Sequence, residues 1–130
     1  MCRSPFALER AGGVPVVLPP TRPEDAPALL ARLDALFVRL FHHPAPTVAC
    51  ISGHAIAGGC ILAQCCDWRI ARRDPKVRLG VNEVALGACF PPACLRILVH
   101  RLPAEARERV MLGAGLYDVD GALAVGLLDE

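Results

Sequence analysis

An uncharged stretch from Pro44 to Cys66 limits the folds open to this sequence more than any other feature. Its length matches that of a membrane-spanning helix, which needs about 20 predominantly apolar residues. Prolines and glycines interrupt the stretch, however, and Thr47–Ser52 carries the β-branched residues that suit a buried strand. We therefore predict a strand at Thr47–Ser52, a glycine turn and a helix at Cys60–Cys66, and we expect no membrane partner.

Two further short strands are predicted downstream of this helix. Asp67–Ala71 and Val77–Leu79 are rich in apolar and β-branched residues, and Arg72–Pro75 between them has the composition of a turn. Strand, helix and strand in close succession are typical of an α/β domain, because a helix is the usual connection between strands that run in the same direction.

An amphipathic helix is predicted upstream, over Ala28–Phe41, where apolar residues recur at steps of three and four. Two starts compete for this helix. Thr21 and Glu24 have the spacing of a capping box, which gives a helix over residues 21–41, whereas Pro27 is tolerated only in a first turn. We favour the later start, with Asp25 as the cap.

The two ends of the chain complete a single predicted domain over residues 1–130. Residues 1–20 have the glycines and prolines of an irregular segment. Three helices are expected near the other end, the last one capped by Asp118 or Asp120 and ended by Gly126. Their predicted ranges are Ala93–Arg101, Ala104–Leu112 and Gly121–Val125.

Charge and cysteine content exclude several classes of function. Fourteen basic residues against thirteen acidic ones leave no surplus to attract nucleic acid. The seven cysteines form no CxxC pair and lie in apolar stretches, so we interpret them as small core residues without a metal. The first residues lack the pattern of a signal peptide, and we therefore expect a cytoplasmic protein.

The glycine turn, Gly53–Cys60, is the first candidate site. Glycines between a strand and the first turn of a helix expose free backbone N–H groups at the positive end of the helix dipole, where they can hold an anion or a developing oxyanion. A second interpretation is that Gly58 and Gly59 only allow the helix to pack closely against the strand. The glycine spacing leaves both interpretations open.

Glu83 is the second candidate, because it is a single carboxylate in the uncharged segment Gly80–Gly87. An apolar environment disfavours the charged form of a carboxyl group, which raises its proton affinity into the range useful for general acid and base catalysis. The alternative is a solvent-exposed side chain without a catalytic role.

Taken together, these segments resemble the crotonase superfamily, the enoyl-CoA hydratases and isomerases, over His43–Glu130. The resemblance rests on the order and spacing of eight short segments: His43-Pro44-Ala45-Pro46, Gly53-His54-Ala55, Ala57-Gly58-Gly59-Cys60, Cys66-Asp67, Arg69-Ile70-Ala71, Asn82-Glu83, Leu86-Gly87 and Ala122–Asp129. It implies an α/β, crotonase-like fold, present in part, in which ββα units form a spiral. It also implies an acyl-CoA thioester as substrate, no separate cofactor, and Gly58 as one of two oxyanion donors.

The resemblance favours a 3,2-enoyl-CoA isomerase. Hydratases of the family have two catalytic glutamates, at the positions of Ile61 and Glu83 here, so this chain keeps Glu83 alone. One carboxylate is enough to shift a double bond, whereas adding water benefits from two. The resemblance implies the following substrate-binding residues around the catalytic pair Gly58 and Glu83: His54, Ala55, Ile56, Ala57, Gly59, Ile61 and Phe90.

The sequence departs from the family pattern at both ends. Cys2–Ala7 lies at about the distance expected for the second oxyanion donor, but it lacks the family's glycine and aspartate. The helices that cover the ligand and build trimers in the family would follow Glu130. A truncated, inactive remnant that acts by association with itself or with a relative is therefore an alternative, and a hydratase is a further one. If the chain folds, we expect a homo-oligomer.

Overall fold

The computed structural model describes residues 22–130, so the predictions made for residues 1–20 lie outside the described part. Five α-helices and four β-strands occur in the described part, in the order α1, β1, β2, α2, β3, β4, α3, α4, α5. The helices are α1 (Ala26–Phe41), α2 (Gly58–Gln64), α3 (Pro92–Arg101), α4 (Ala104–Met111) and α5 (Val119–Ala124). The strands are β1 (Val48–Ile51), β2 (Ala55–Ile56), β3 (Trp68–Ala71) and β4 (Leu79–Gly80).

The strands form two parallel pairs rather than one sheet. β1 pairs with β3 in the register Val48 to Trp68, and β2 pairs with β4 in the register Ala55 to Leu79. The predicted third strand was placed slightly too early, and β2 was not predicted at all. Its two residues lie inside the glycine-rich segment, and their pairing depends on the N–H of Ala55, which donates to the carbonyl of Arg78 at 2.9 Å.

Helix α1 begins where the later of the two predicted starts placed it. Asp25 precedes its first residue and Pro27 lies in its first turn, although the Asp25 side chain makes no capping hydrogen bond. A single 3₁₀ turn, Pro23–Asp25, leads into the helix, so the helix does not extend back to residue 21. The side chain of Phe37 is buried in the core, and Phe41 packs under the guanidinium of Arg101.

The uncharged stretch does not form a membrane helix. It divides into β1, β2 and α2, and the described range 22–130 contains no helix with the length and apolar character needed to cross a membrane. Helix α2 begins at Gly58, two residues before its predicted start. The glycines therefore belong to its first turn instead of preceding it.

Four cysteines of the described residues are buried, as the sequence indicated: Cys60, Cys65, Cys66 and Cys94. Burial raises the pKa of Cys60 and Cys65 to about 12 each and that of Cys94 to about 11, so these three side chains, called the core thiols below, stay protonated at neutral pH. Cys50 and Cys89 are exposed, and for them the interpretation as core residues was wrong. Cys2 lies outside the described residues.

A buried ion pair joins β3 to the end of the chain. The guanidinium of Arg69 contacts the carboxylate of Asp129 at 2.7 Å, and the N–H of Arg69 donates to the same carboxylate at 2.9 Å. Asp118 is the cap of α5, since its side chain accepts a hydrogen bond from the N–H of Gly121 at 2.8 Å. These contacts close the carboxyl-terminal segment over the core, in which Leu127 and Leu128 are buried.

Candidate functional site

The parallel pairing of β2 with β4 brings the two candidate segments together. The carboxyl ends of parallel strands meet at one edge, and here β2 runs into the glycine turn while β4 runs into Asn82 and Glu83. The N–H of Ala57 donates to the carbonyl of Gly80 at 2.9 Å, which ties the last residue before α2 to the last residue of β4. The segments that contain Gly58 and Glu83 thus leave the same edge.

The turn before α2 has an unusual backbone. Ala57 has φ 52° and ψ −126°, a conformation that a residue with a Cβ adopts only at a cost. The first helical hydrogen bond runs from the N–H of Ile61 to the carbonyl of Ala57, so the N–H groups of Gly58 and Gly59 have no backbone acceptor within residues 22–130. Both glycines are exposed, and their N–H groups are available to an anionic or polarised oxygen.

Packing does not require glycine at either position. A Cβ at Gly59 would meet no described atom within 4 Å, and one at Gly58 would meet only the ring of Phe37, at 4.0 Å. At Gly80, by contrast, a Cβ would lie 2.4 Å from the carbonyl oxygen of Gly115, so β4 does need a glycine for close packing. The open space at Gly58 and Gly59 favours the interpretation in which a ligand approaches the backbone.

Glu83 is partly buried, which argues against a fully solvated side chain. It immediately precedes a 3₁₀ turn, Val84–Leu86, and its Oε2 atom is sheltered and has no hydrogen-bond partner among the described residues. Burial raises the pKa of Glu83 above the ordinary glutamate value. Burial is the main cause of the raised pKa of Cys60, and the charge of Glu83 raises that pKa further. The Glu83 carboxylate therefore lies within electrostatic range of the first turn of α2. The site therefore offers a carboxylate with raised proton affinity and free N–H groups on two segments that leave the same edge.

The other residues proposed from the sequence are distributed around this edge. His54 is exposed immediately before β2, and its Nδ1 accepts a hydrogen bond from the N–H of Arg78 at 3.1 Å. Ala55 and Ile61 are buried in the core, whereas Ile56 and Phe90 are partly buried. His54 therefore holds β2 to β4, and Ile61 contributes its side chain to the core.

Asp67, the residue before β3, has a structural role. Its carboxylate accepts hydrogen bonds of 2.9 Å from both the N–H and the hydroxyl of Thr47. These bonds, with a smaller contribution from Arg101, hold the pKa of Asp67 below its usual value. The Asp67 carboxylate therefore fastens the start of β3 to the segment before β1.

The structure adds one acidic residue that the sequence analysis did not single out. Asp34 lies on α1 next to Leu33, and its Oδ1 atom is sheltered without a hydrogen-bond partner among the described residues. The sequence does contain an indication of this position. Asp34 lies one turn before Phe37 and one turn after Leu30, which is the spacing of the apolar residues on this helix.

Three comparisons relate this arrangement to known proteins. The family profile described as enoyl-CoA hydratase/isomerase matches residues 21–130. Over 98 residues the chain is 36% identical to the enoyl-CoA delta isomerase 1, mitochondrial, of Mus musculus, which covers 75% of this chain and 34% of that protein. Over 99 residues it is 37% identical to a putative enoyl-CoA hydratase of Thermus thermophilus, which covers 75% of this chain and 38% of that protein.

Solved structures agree with the sequence comparisons. An enoyl-CoA hydratase/isomerase family protein from Pseudomonas syringae superposes with a TM-score of 0.78 at 34% identity, covering 85% of this chain and 47% of that one. The described residues therefore have the crotonase-like fold in part, as the sequence predicted. The chain spans between a third and a half of the length of these relatives.

Proposed function

Because the chain belongs to the enoyl-CoA hydratase/isomerase family, we propose that it binds an unsaturated acyl-CoA thioester and converts a 3-enoyl into a 2-enoyl form. The observation that carries this proposal is the hydrogen bond from Ala57 to Gly80, which holds the Gly58 turn and the Glu83 loop at one edge. The names of the relatives include both isomerase and hydratase, so the choice between the two reactions depends on the residues of this chain.

Proton transfer in this proposal uses one carboxylate. The N–H of Gly58 donates a hydrogen bond to the thioester oxygen, and the Glu83 carboxylate accepts a proton from the α-carbon. The electron pair left behind moves into the conjugated system, which becomes a dienolate with its negative charge largely on that oxygen. The carboxyl group of Glu83 then returns the proton at the γ-carbon, so no water is consumed.

Two properties of the site support proton transfer by a single carboxylate. Burial raises the pKa of Glu83, which makes its carboxylate a stronger base than an exposed glutamate. Ile61, at the position where family hydratases carry their other glutamate, is 2% exposed and packs in the core. The segment Cys2–Ala7, which lies at about the distance of the family's second oxyanion donor but lacks its glycine and aspartate, is outside the described residues.

The experiment compares the purified chain on 3-enoyl-CoA and on 2-enoyl-CoA, together with Glu83→Gln. We expect isomerisation of the first substrate, little hydration of the second, and a loss of roughly 100-fold or more in the variant, which is the usual contribution of a positioned acid or base. Glu108→Gln, an exposed position on α4, is the matched control and should leave the rate unchanged. An unchanged isomerase rate in Glu83→Gln would remove Glu83 from the mechanism, and appreciable hydration would contradict the role given to Ile61.

A second function, association without catalysis, is favoured by one surface feature. Val48 and Trp68 face each other across β1 and β3, and each is 46% exposed. An exposed apolar pair on a short sheet promotes contact with another copy or with a relative. Light scattering tests this function: we expect Trp68→Ser to reduce the assembly to a smaller species, whereas a monomeric wild-type chain with a sharp melting transition would exclude the association.

The cellular location and the subunit number are also proposals. We propose a cytoplasmic location for this chain, whereas the name of the mouse relative places that protein in mitochondria. A homo-oligomer, of the trimeric kind that the family resemblance implies, is the assembly that we expect. Fractionation of the source cells and the mass of the purified protein in solution would test these two statements.

A further inference from the structure

The ladder between β2 and β4 continues past the two short strands. Ile56 pairs with Gly80 in the parallel register, and the N–H of Ala57 donates to the carbonyl of Gly80 at 2.9 Å, which extends that register by one residue. The next positions on the two segments are Gly58 and Asn82. Because neighbouring strands lie about 4.8 Å apart, Asn82 leaves the ladder beside the turn to which the proposed function assigns the thioester oxygen.

The side chain of Asn82 is partly buried and lacks a hydrogen-bond partner. It makes no hydrogen bond with any residue of the described range, and its Oδ1 atom is sheltered from solvent. The Nδ2 atom of the same amide is not sheltered in this way. The two atoms are bonded to one carbon and point in different directions, so the sheltered oxygen leaves the donor end of the amide on the open side.

A growing negative charge at this edge has no cation beside it among the described residues. Burial raises the pKa of Glu83, and the group that lowers it is the backbone N–H of Glu83 itself, so no described cationic side chain acts on that carboxylate. The N–H groups of Gly58 and Gly59 come from one turn and reach a carbonyl oxygen from one side. That oxygen has two lone pairs, and the second one would face the segment that contains Asn82. A neutral amide donor there stabilises the dienolate without weakening Glu83 as a base, whereas a cation would lower the pKa of Glu83.

We propose that Asn82 is a further catalytic residue, whose Nδ2 donates a second hydrogen bond to the thioester oxygen, opposite the N–H of Gly58. This inference rests on the function proposed above, because it takes the thioester to lie between Gly58 and Glu83. The family resemblance implies a different donor, in a loop before α1, and Cys2–Ala7 lacks the glycine and aspartate of that loop. The assignment to Asn82 comes from the strand register and the open amide of this chain.

Infrared difference spectra test this hydrogen bond without relying on turnover. The probe is hexanoyl-CoA with an isotopic label at the thioester carbonyl carbon, a saturated ligand that the isomerase reaction cannot convert. A hydrogen bond to a carbonyl oxygen weakens the C=O bond. We therefore expect the band of the bound ligand to move to lower frequency in the wild-type chain and to return part of the way in Asn82→Ala. In the isomerase assay, Asn82→Ala should lower kcat by roughly 100-fold, with a smaller change in KM.

Control variants separate the outcomes. Val84→Ala changes an exposed neighbour of Glu83 and should keep both the band position and kcat. Asn82→Asp keeps the size of the side chain and replaces the donor by an acceptor, so it should lose the same part of the band shift even if Asn82→Ala does not fold. A wild-type band that does not move on binding, or a full shift in either Asn82 variant, would overturn the inference. Reduced turnover with a full shift would also overturn it, because it would give Asn82 a structural role. A shift that depends on Asn82 in a chain without isomerase activity would refute only the proposed reaction.

Discussion

Replacement of Gly58 by alanine distinguishes a backbone that binds substrate from a glycine that merely permits packing. The new Cβ would lie 4.0 Å from the ring of Phe37, an ordinary van der Waals distance, and the position has no left-handed backbone conformation. Alanine is favoured over glycine in a helix by about 0.5–1 kcal/mol. We therefore expect the free energy of unfolding of Gly58→Ala to stay the same or to rise by about 0.5 kcal/mol.

Catalysis should respond in the opposite direction. The added methyl group stands beside the N–H that the thioester oxygen would approach, so it moves the oxygen away from its donor. Loss of one oxyanion donor typically lowers turnover by a factor of about 10²–10³. Gly58→Ala should therefore combine unchanged or improved stability with a turnover reduced by roughly 100-fold.

Urea unfolding and the isomerase assay, performed on the same samples, measure both effects. Gly80→Ala is the control for a glycine that packing requires, because its Cβ would lie 2.4 Å from the carbonyl oxygen of Gly115, and overpacking of this kind costs about 1–3 kcal/mol. A loss of stability in Gly58→Ala as large as that in Gly80→Ala would support the packing interpretation. Full turnover by a stable Gly58→Ala would show that the reaction does not need a bare backbone there.

Three further predictions follow from burial and charge. The kcat/KM for isomerisation should rise with pH through an apparent pKa above the ordinary glutamate value, because burial raises the pKa of Glu83. The folded chain holds the proton of the Glu83 carboxyl group more tightly than the unfolded chain, so the free energy of unfolding should fall as pH rises through that pKa. In urea titrations, Glu83→Gln should remove this fall. Asp129→Asn should lower the free energy of unfolding by about 3 kcal/mol, because it leaves the buried guanidinium of Arg69 unpaired. Asp120→Asn breaks an exposed pair and should lower it by less than about 1 kcal/mol. Equal effects of the two variants would contradict this account. Iodoacetamide followed by peptide mass spectrometry should label Cys50 and Cys89 in the folded chain and the core thiols only after unfolding, and rapid labelling of the core thiols would show that they are not inert.

Strong local signals in the sequence were enough to predict most elements of the fold. The spacing of apolar residues gave α1, and the restriction that Pro27 imposes on a helix placed its start after Asp25. The same kind of local chemistry predicted a cap at Asp118 or Asp120, and in the structure Asp118 accepts the hydrogen bond from the third N–H of the helix.

Features that depend on distant residues were not predictable in this way. The start of α2 was placed too late because glycine has low helix propensity, and the contacts that set its first turn come from β4, more than 20 residues further along. The pair between Arg69 and Asp129 joins residues 60 positions apart and leaves no periodic trace in the sequence. Asp34 was missed because a single polar residue within an amphipathic helix is usually assigned to its solvated face.

The candidate site combines both kinds of information. The residue types at Gly58 and Glu83 indicated an anion-binding turn and a buried carboxylate, but no local pattern states that two segments 25 positions apart share an edge. The family resemblance supplied that expectation. In the described residues, the parallel pairing of β2 with β4 brings the two segments to one edge.

The backbone of Ala57 has a consequence for the timing of ligand recognition. Its N–H is bonded to Gly80 and its carbonyl to Ile61, so both sides of an unfavourable conformation are fixed by the surrounding chain. Folding thus supplies the energy that keeps the N–H groups of Gly58 and Gly59 directed outward. The carbonyl group of a bound thioester would not need to reorganise them. Such preorganised dipoles stabilise a growing negative charge without the solvent rearrangement that water would require.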